Sequence, residues 1–337
     1  MPQQRTPIHW LPGNSRRERT LVLLAFLAIY LVWGSTYLAI RYAVETIPPL
    51  FVAGTRHLIA GALLLAWCWW KGLRPTAAQW RASLIVGALF FLGGHGLLHW
   101  AEQVVPSGLA ALLIATEPIM IAILVALAGQ ARITLPVASG MLLGLAGIAL
   151  LMQADVSGAG RNQLIGSAAI LLGTLSWAVG IIYSNRGKLH PHPVMSAAMS
   201  LLAGAALLIL TGIVVGEGTR LSLATVSFKS FASLLYLVFF GSLVAFTAYV
   251  WLLQRCSPTL VATHTYVNPI VAVLLGWALA GEPLTIRTAL AGLLVLAAIG
   301  LLGRGTQRGA IPSRKSQEVI AQVADESDHA RAQEANS

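Results

Sequence analysis

The residues able to do chemistry are few, and most of them interrupt long apolar runs. Glu117-Pro118 and Asn268-Pro269 stand 151 positions apart in two such runs. A proline within a helix removes one backbone hydrogen bond and clashes with the carbonyl four residues back. Pro118 and Pro269 are therefore expected helix kinks, each with a polar side chain beside loosened backbone. Freed carbonyls and a side-chain acceptor near mid-membrane suit a substrate or proton site. A packed kink with a hydrogen-bonded polar residue is the plainer alternative.

Histidines add to this set. His95 and His99 lie four apart, on one helix face, and Glu102 follows by three. The pattern fits a polar stripe facing a cavity, or structural histidines. A metal would need a third ligand that the sequence does not place, so no metal is expected. His264 shares a face with Asn268, whereas Tyr266 falls nearly opposite. A histidine titrates near neutrality and could carry a proton, which leaves proton coupling open. Arg56, next to His57 within an apolar run, calls for a partner, with Glu45, Glu102 and Glu117 as candidates. Trp33, Tyr37 and Trp177 could wall a cavity for amino-acid or drug-like solutes, or serve packing or an interfacial belt. The candidate substrate-binding residues are thus Trp33, Tyr37, Arg56, His95, His99, Glu117, Trp177, His264, Tyr266 and Asn268. No Walker-type phosphate loop and no nucleophile–base arrangement occurs, so neither a cofactor nor a catalytic site is expected.

The elements that position these residues follow from composition. The 337 residues are 57% hydrophobic and 10% charged, with a mean hydropathy of +0.75. A soluble domain usually carries about 25% charged residues. Twelve acids and twenty-two bases cannot clothe a soluble chain of this length, so lipid must solvate much of the surface. The net charge of +10 does not signal nucleic acid, because many of the basic residues flank apolar runs and form no basic face. Cys68 and Cys256 form neither a CxxC motif nor a disulfide framework and are expected as free thiols.

A window of roughly 20 residues predicts ten spans, at 21–43, 50–70, 81–99, 108–128, 134–152, 164–184, 194–215, 230–253, 260–280 and 286–303. Residues 1–20 and 304–337 read as polar cytoplasmic tails, the latter disordered. The first run is too long for a cleaved signal and reads as a retained anchor. With the N-terminus in the cytoplasm, 16 of the 22 basic residues fall in cytoplasmic segments and 4 in outer ones, with Arg41 and Arg56 inside helices. The positive-inside rule favours that orientation, and an even number of spans returns the C-terminus to the same side.

The chain also repeats. Shifted by 151 positions, Trp100 meets Trp251, Gln103 meets Gln254, Ala111 meets Ala262, Pro118 meets Pro269 and Thr134 meets Thr285; a shift of 144 aligns Trp33 with Trp177. An odd-numbered span maps onto an even-numbered one, so the halves cross the bilayer in opposite senses. Residues 21–152 and 164–303 form two inverted five-helix units, a construction used by secondary transporters. The fold class is all-α integral membrane. A membrane-embedded enzyme, a lipid-handling protein or a scaffold are the competing functions, and none has a constellation to support it.

Several motifs in order add a resemblance. Trp33-Gly34-Ser35-Thr36-Tyr37, Arg56, Pro106-Ser107-Gly108, Glu117-Pro118, Tyr266-Val267-Asn268-Pro269 and Gly281-Glu282-Pro283-Leu284 resemble the drug/metabolite transporter superfamily, in its EamA-type branch with two repeats, among the YedA-like inner-membrane proteins. The resemblance implies ten helices and export of metabolites, amino acids or toxic compounds across the bacterial inner membrane. One departure stands out. A Gly-Glu-x-Leu type signature is expected after both the fourth and the ninth helix, but the first half reads Gly129-Gln130-Ala131-Arg132 and lacks the carboxylate.

Overall fold

The computed structural model describes residues 16–128, 134–151, 158–184, 187–222, 224–253, 255, 256, 261 and 263–309. The tails, the Gly129–Arg132 motif, Gln254, Pro258 and Ala262 lie outside these or at their edges, and nothing further is drawn from their placement. Among the described residues the chain is all helix and turn. Seven helices are long and apolar enough to cross a membrane: α1 (Arg17–Ala43), α2 (Pro49–Trp70), α3 (Ala77–Ala101), α4 (Ser107–Leu127), α6 (Gly160–Ser184), α7 (Pro193–Val214) and α8 (Phe228–Tyr249). Three shorter apolar helices complete the set: α5 (Leu135–Leu150), α9 (His264–Ala280) and α10 (Ile286–Leu302).

Local chemistry sets the starts. Pro49 and Pro193 open α2 and α7, where a missing N–H costs nothing. Thr76 and Gln79 form a capping box before α3. Ser227 Oγ accepts from Ser230 N at 3.1 Å to start α8, and Ser230 Oγ donates to Tyr42 O at 2.7 Å, tying α8 to the end of α1.

Packing reveals an internal two-fold. The most extensive helix contacts are α2 with α7 and α5 with α10, and α4 packs closely on α9. Each of these is a helix against its own repeat-mate. Further contacts come in matched pairs: α1 on α8 and α6 on α3, α1 on α9 and α6 on α4. Small residues allow the approach. A Cβ on Gly87 of α3 would lie 2.7 Å from Gly204 N of α7, and one on Gly140 of α5 would lie 2.9 Å from Ala298 O of α10. The outward faces carry exposed Leu63, Leu142, Leu172, Leu210 and Trp277, which suit lipid rather than water.

Three spans are not regular α-helix. α1 widens to a π-helix over Ala28–Val32, α3 over Ala88–Gly96 and α8 over Leu237–Val244. The α3 and α8 segments overlap when the repeat is superposed by its 151-residue shift. Such widened turns often mark functional sites, because they leave carbonyls free for other partners. α4 is interrupted instead. Its first part ends at Ile114, its second starts at Glu117, and Pro118 occupies the first turn of the second part. Pro269 sits inside α9, whose preceding residue Thr263 already departs from the helix. The two matched prolines therefore occupy different settings.

Candidate functional site

The widened turn of α1 faces the widened turn of α8. Trp33 Nε1 donates at 3.0 Å to the carbonyl of Gly241, which lies within the α8 π-turn. The indole lies 5.2 Å from the Tyr249 ring and 5.0 Å from the His264 ring, centre to centre. His264 Nδ1 bonds the Val261 carbonyl at 2.9 Å. With its amide nitrogen turned toward acceptors, Asn268 donates to the carbonyls of His264 at 3.1 Å and Tyr30 at 3.2 Å. The Tyr30 carbonyl belongs to the α1 π-turn, so Asn268 joins α9 to α1 there. Ser35 and Tyr236 hydroxyls meet at 2.6 Å, and Tyr236 stacks on Phe240.

Glu117 opens the second part of α4 and is half-buried. Among the described residues it forms no hydrogen bond or ion pair, and its charge reaches the phenols of Tyr37 and Tyr249. A carboxylate in mid-membrane without a counter-ion is costly, which makes Glu117 a candidate functional residue.

A second cluster lies between α2, α3 and α6. His57 Nε2 and His95 Nδ1 share a hydrogen bond of 2.8 Å, one ring donating and the other accepting. His95 stacks on Trp177 at 5.0 Å, and Trp177 on Phe90 at 4.3 Å. His99 Nδ1 donates to the His95 carbonyl at 2.7 Å. Arg56 Nε donates to Ser242 Oγ at 3.3 Å, reaching α8. None of the three acids suggested by the sequence forms an ion pair with Arg56 among the described residues; Glu45 pairs instead with Lys229. No three metal-ligating side chains converge among the described residues.

The sequence-derived set is thus divided. Trp33, His264 and Asn268 converge, with Tyr37 and Glu117 adjoining. His95, His99 and Trp177 form the second cluster with His57. Tyr266 joins neither, packing against Ala115, Val295 and Ile299. Sequence reasoning missed Tyr30, Tyr249, Gly241 and Ser242. No motif signals them, because their roles arise from the π-turns that bring distant segments together.

At one end of the bundle, Glu282 clamps two halves together. Gly281 takes φ +63°, a left-handed conformation that glycine adopts without strain, and ends α9. The chain then folds back so that Glu282 N donates to Gly276 O at 3.0 Å. This aims the carboxylate at the start of α4, where Ser107 N donates to Oε1 at 2.7 Å and Gly108 N to Oε2 at 2.9 Å. A carboxylate at a helix N-terminus satisfies orphan donors and meets the positive end of the helix dipole. Arg41 of α1 lies 3.4 Å from Glu282 Oε1 and also reaches the Val105 carbonyl at 3.3 Å. A crevice of about 160 Å³ opens beside this carboxylate, lined in part by Pro106, Trp277 and Thr285. At the same end Glu217 accepts from Leu50 N at 2.9 Å, capping α2 in a similar way. Burial pushes the Glu217 carboxyl above its ordinary value, against the pull of the Leu50 and Phe51 N–H groups and of Arg220.

The described residues hold ten apolar helices packed in repeat-related pairs, several broken or widened where polar side chains meet, and they define a polytopic membrane protein built as an internal repeat. The chain belongs to the EamA-like transporter family, whose model matches residues 20–153 and 164–304. It is 40% identical to the uncharacterized inner membrane transporter YedA of Escherichia coli (strain K12) over 264 residues, 77% of this chain and 83% of YedA. The uncharacterized transporter YoaV of Bacillus subtilis (strain 168) is 24% identical over 280 residues, 82% of this chain and 95% of YoaV. A solved crystal structure aligns with a TM-score of 0.57 at 22% identity, covering 84% of this chain and 97% of that one, a likeness of fold.

Proposed function

We propose that this protein is a secondary exporter that moves small organic solutes, such as metabolites, amino acids or drug-like compounds, by alternating access across the inner membrane. The observation that carries this reading is Glu117, unpaired among the described residues at the break in α4, whose charge reaches Tyr37 and Tyr249. A carboxylate near aromatic side chains suits a solute with an amino or other cationic group, through charge and cation–π attraction. The matched helix pairs supply two halves that can exchange roles, opening the site first to one side and then to the other. Both termini then lie in the cytoplasm, and the end carrying Glu282 faces outward, as the charge bias favours.

The test is flux in proteoliposomes holding the purified chain, assayed against a panel of amino acids, polyamines and cationic dyes. Wild type is expected to move at least one cationic member faster than empty vesicles. Glu117→Gln is expected to insert and purify normally with that flux lost. Undiminished flux in the variant would remove Glu117 from the mechanism, and no flux for any panel member would count against the export reading.

A further inference from the structure

Glu102 is the buried acid that the preceding account leaves without a role. It lies just past the end of α3, is 1% exposed, and neither carboxylate oxygen has a hydrogen-bond partner among the described residues. The Arg41 backbone faces it without closing a hydrogen bond. Burying a carboxylate with no donor is costly while it is charged and far cheaper once it holds a proton.

The surroundings decide how that charge is felt. Tyr37 and Arg41 face Glu102 from α1, Arg56 from α2, and Glu282 from the turn after α9. His99 precedes it by one turn on its own helix. α6 meets the same turn through Gly166, which contacts Val104 and Val105. The two cations are already engaged elsewhere: Arg41 by Glu282 and Val105 O, Arg56 by Ser242. The second carboxylate, Glu282, adds repulsion. Arg41 is thus placed between two acids and fully serves only one.

We propose that Glu102 is a proton-binding site that governs the Glu282 clamp, separate from the solute-facing Glu117. The proposal rests on the transporter reading for its purpose, though not for its test. With Glu102 protonated, Arg41 stays with Glu282 and the clamp on α4 holds. With Glu102 charged, it competes for Arg41 and repels Glu282, and the clamp releases. The linkage runs both ways: release exposes Glu102 to water, where it gives up its proton, and closure requires the proton back. A buried histidine lies nearby on the same helix. His99 is fully buried, its Nδ1 bonded to the His95 backbone carbonyl and its Nε2 unpartnered among the described residues, and the His95 ring bonds that of His57, whose Nδ1 is also unpartnered.

Amide hydrogen exchange of the full chain in lipid nanodiscs reads the clamp directly, through Ser107 and Gly108. After correction for the intrinsic pH dependence of exchange, these two amides in wild type are expected to exchange about tenfold faster at mildly alkaline than at mildly acidic pH. Glu102→Gln, which mimics the protonated acid, is expected to stay slow at both, and Glu282→Gln to be fast at both. Glu117→Gln should keep the wild-type response. Equal rates for wild type at both pH values would overturn the proposal, as would a wild-type response in Glu102→Gln or its loss in Glu117→Gln. Should Glu102→Gln fail to insert, Glu102→Asp substitutes: a shorter acid should move the pH of acceleration, and an unmoved pH would refute the role. The measurement needs no solute, so a responsive clamp in a protein that moves nothing would refute the export reading alone.

Discussion

Gly276 leaves the space that the Glu282 carboxylate fills. A Cβ at that position would overlap Glu282 Oε2 and stand 3.0 Å from Ser107 Oγ. The glycine in α9 and the acid six residues later are therefore one device. Gly276→Ala should displace the carboxylate from the α4 amides and lower stability by about 1–3 kcal/mol, the cost of leaving buried donors unmet. Thermal unfolding in detergent measures this, and a wild-type melting temperature would show that the carboxylate shifts freely.

The clamp and its ion pair should differ in weight. Glu282→Gln keeps the shape but loses two charge-assisted bonds, with an expected cost of about 1.5–3 kcal/mol. Arg41 is one-third exposed at 33%, so Arg41→Ala should cost less, below about 1 kcal/mol. Comparing the single and double variants by thermal unfolding gives the coupling; an Arg41 effect as large as that of Glu282 would contradict this ranking.

Trp33 has two roles that one substitution separates. Trp33→Phe keeps a ring near Tyr249 and His264 but deletes the donor to Gly241 O. The expected loss of stability is about 0.5–1.5 kcal/mol. Trp33→Leu should lose more, since the ring contacts go as well. Equal effects for both variants would assign the whole contribution to the N–H.

Gly87 tests the α3–α7 contact. The atoms that an added Cβ would meet include Gly204 N and the Ser200 carbonyl at 3.0 Å, backbone that cannot swing away. Gly87→Ala is expected to destabilise by about 1–3 kcal/mol through overpacking. A neutral or stabilising result, read by thermal unfolding, would mean that the two helices separate easily.

Glu217 gives a pH dependence of known sign. Its folded value is raised by burial, so the folded chain holds the proton more tightly than the unfolded one. Its contribution to stability is therefore full below the ordinary carboxyl range and fades as pH rises through the raised value. Glu217→Gln should flatten that part of the stability–pH curve, and an unchanged curve would show that Glu217 does not titrate there.

Much of the architecture is legible from residue patterns. Apolar runs mark each span, and the repeat recurs in the contacts of α2 with α7, at the shift of 144, and of α5 with α10, at the shift of 151. The site is less legible, for physical reasons. Periodicity assumes 3.6 residues per turn, and the π-turns of α1, α3 and α8 break that assumption where Trp33, His95 and Gly241 lie. Pairing at a distance is equally hidden: His57 meets His95, and Arg56 meets Ser242 rather than an acid. Glu282 is visible as part of a motif, but its use depends on the left-handed turn at Gly281 and the gap at Gly276. In the first half, Val125 occupies the position matching that gap.

The pairing of each helix with its counterpart also governs how the chain is made. When the first five helices have entered the bilayer, α2 and α5 still lack the surfaces they will finally cover. Lipid must hold those faces until α7 and α10 arrive, more than a hundred residues later in synthesis. Neither half is a self-sufficient folding unit, so a chain truncated between Leu151 and Gly158 should persist only when the missing half is made beside it.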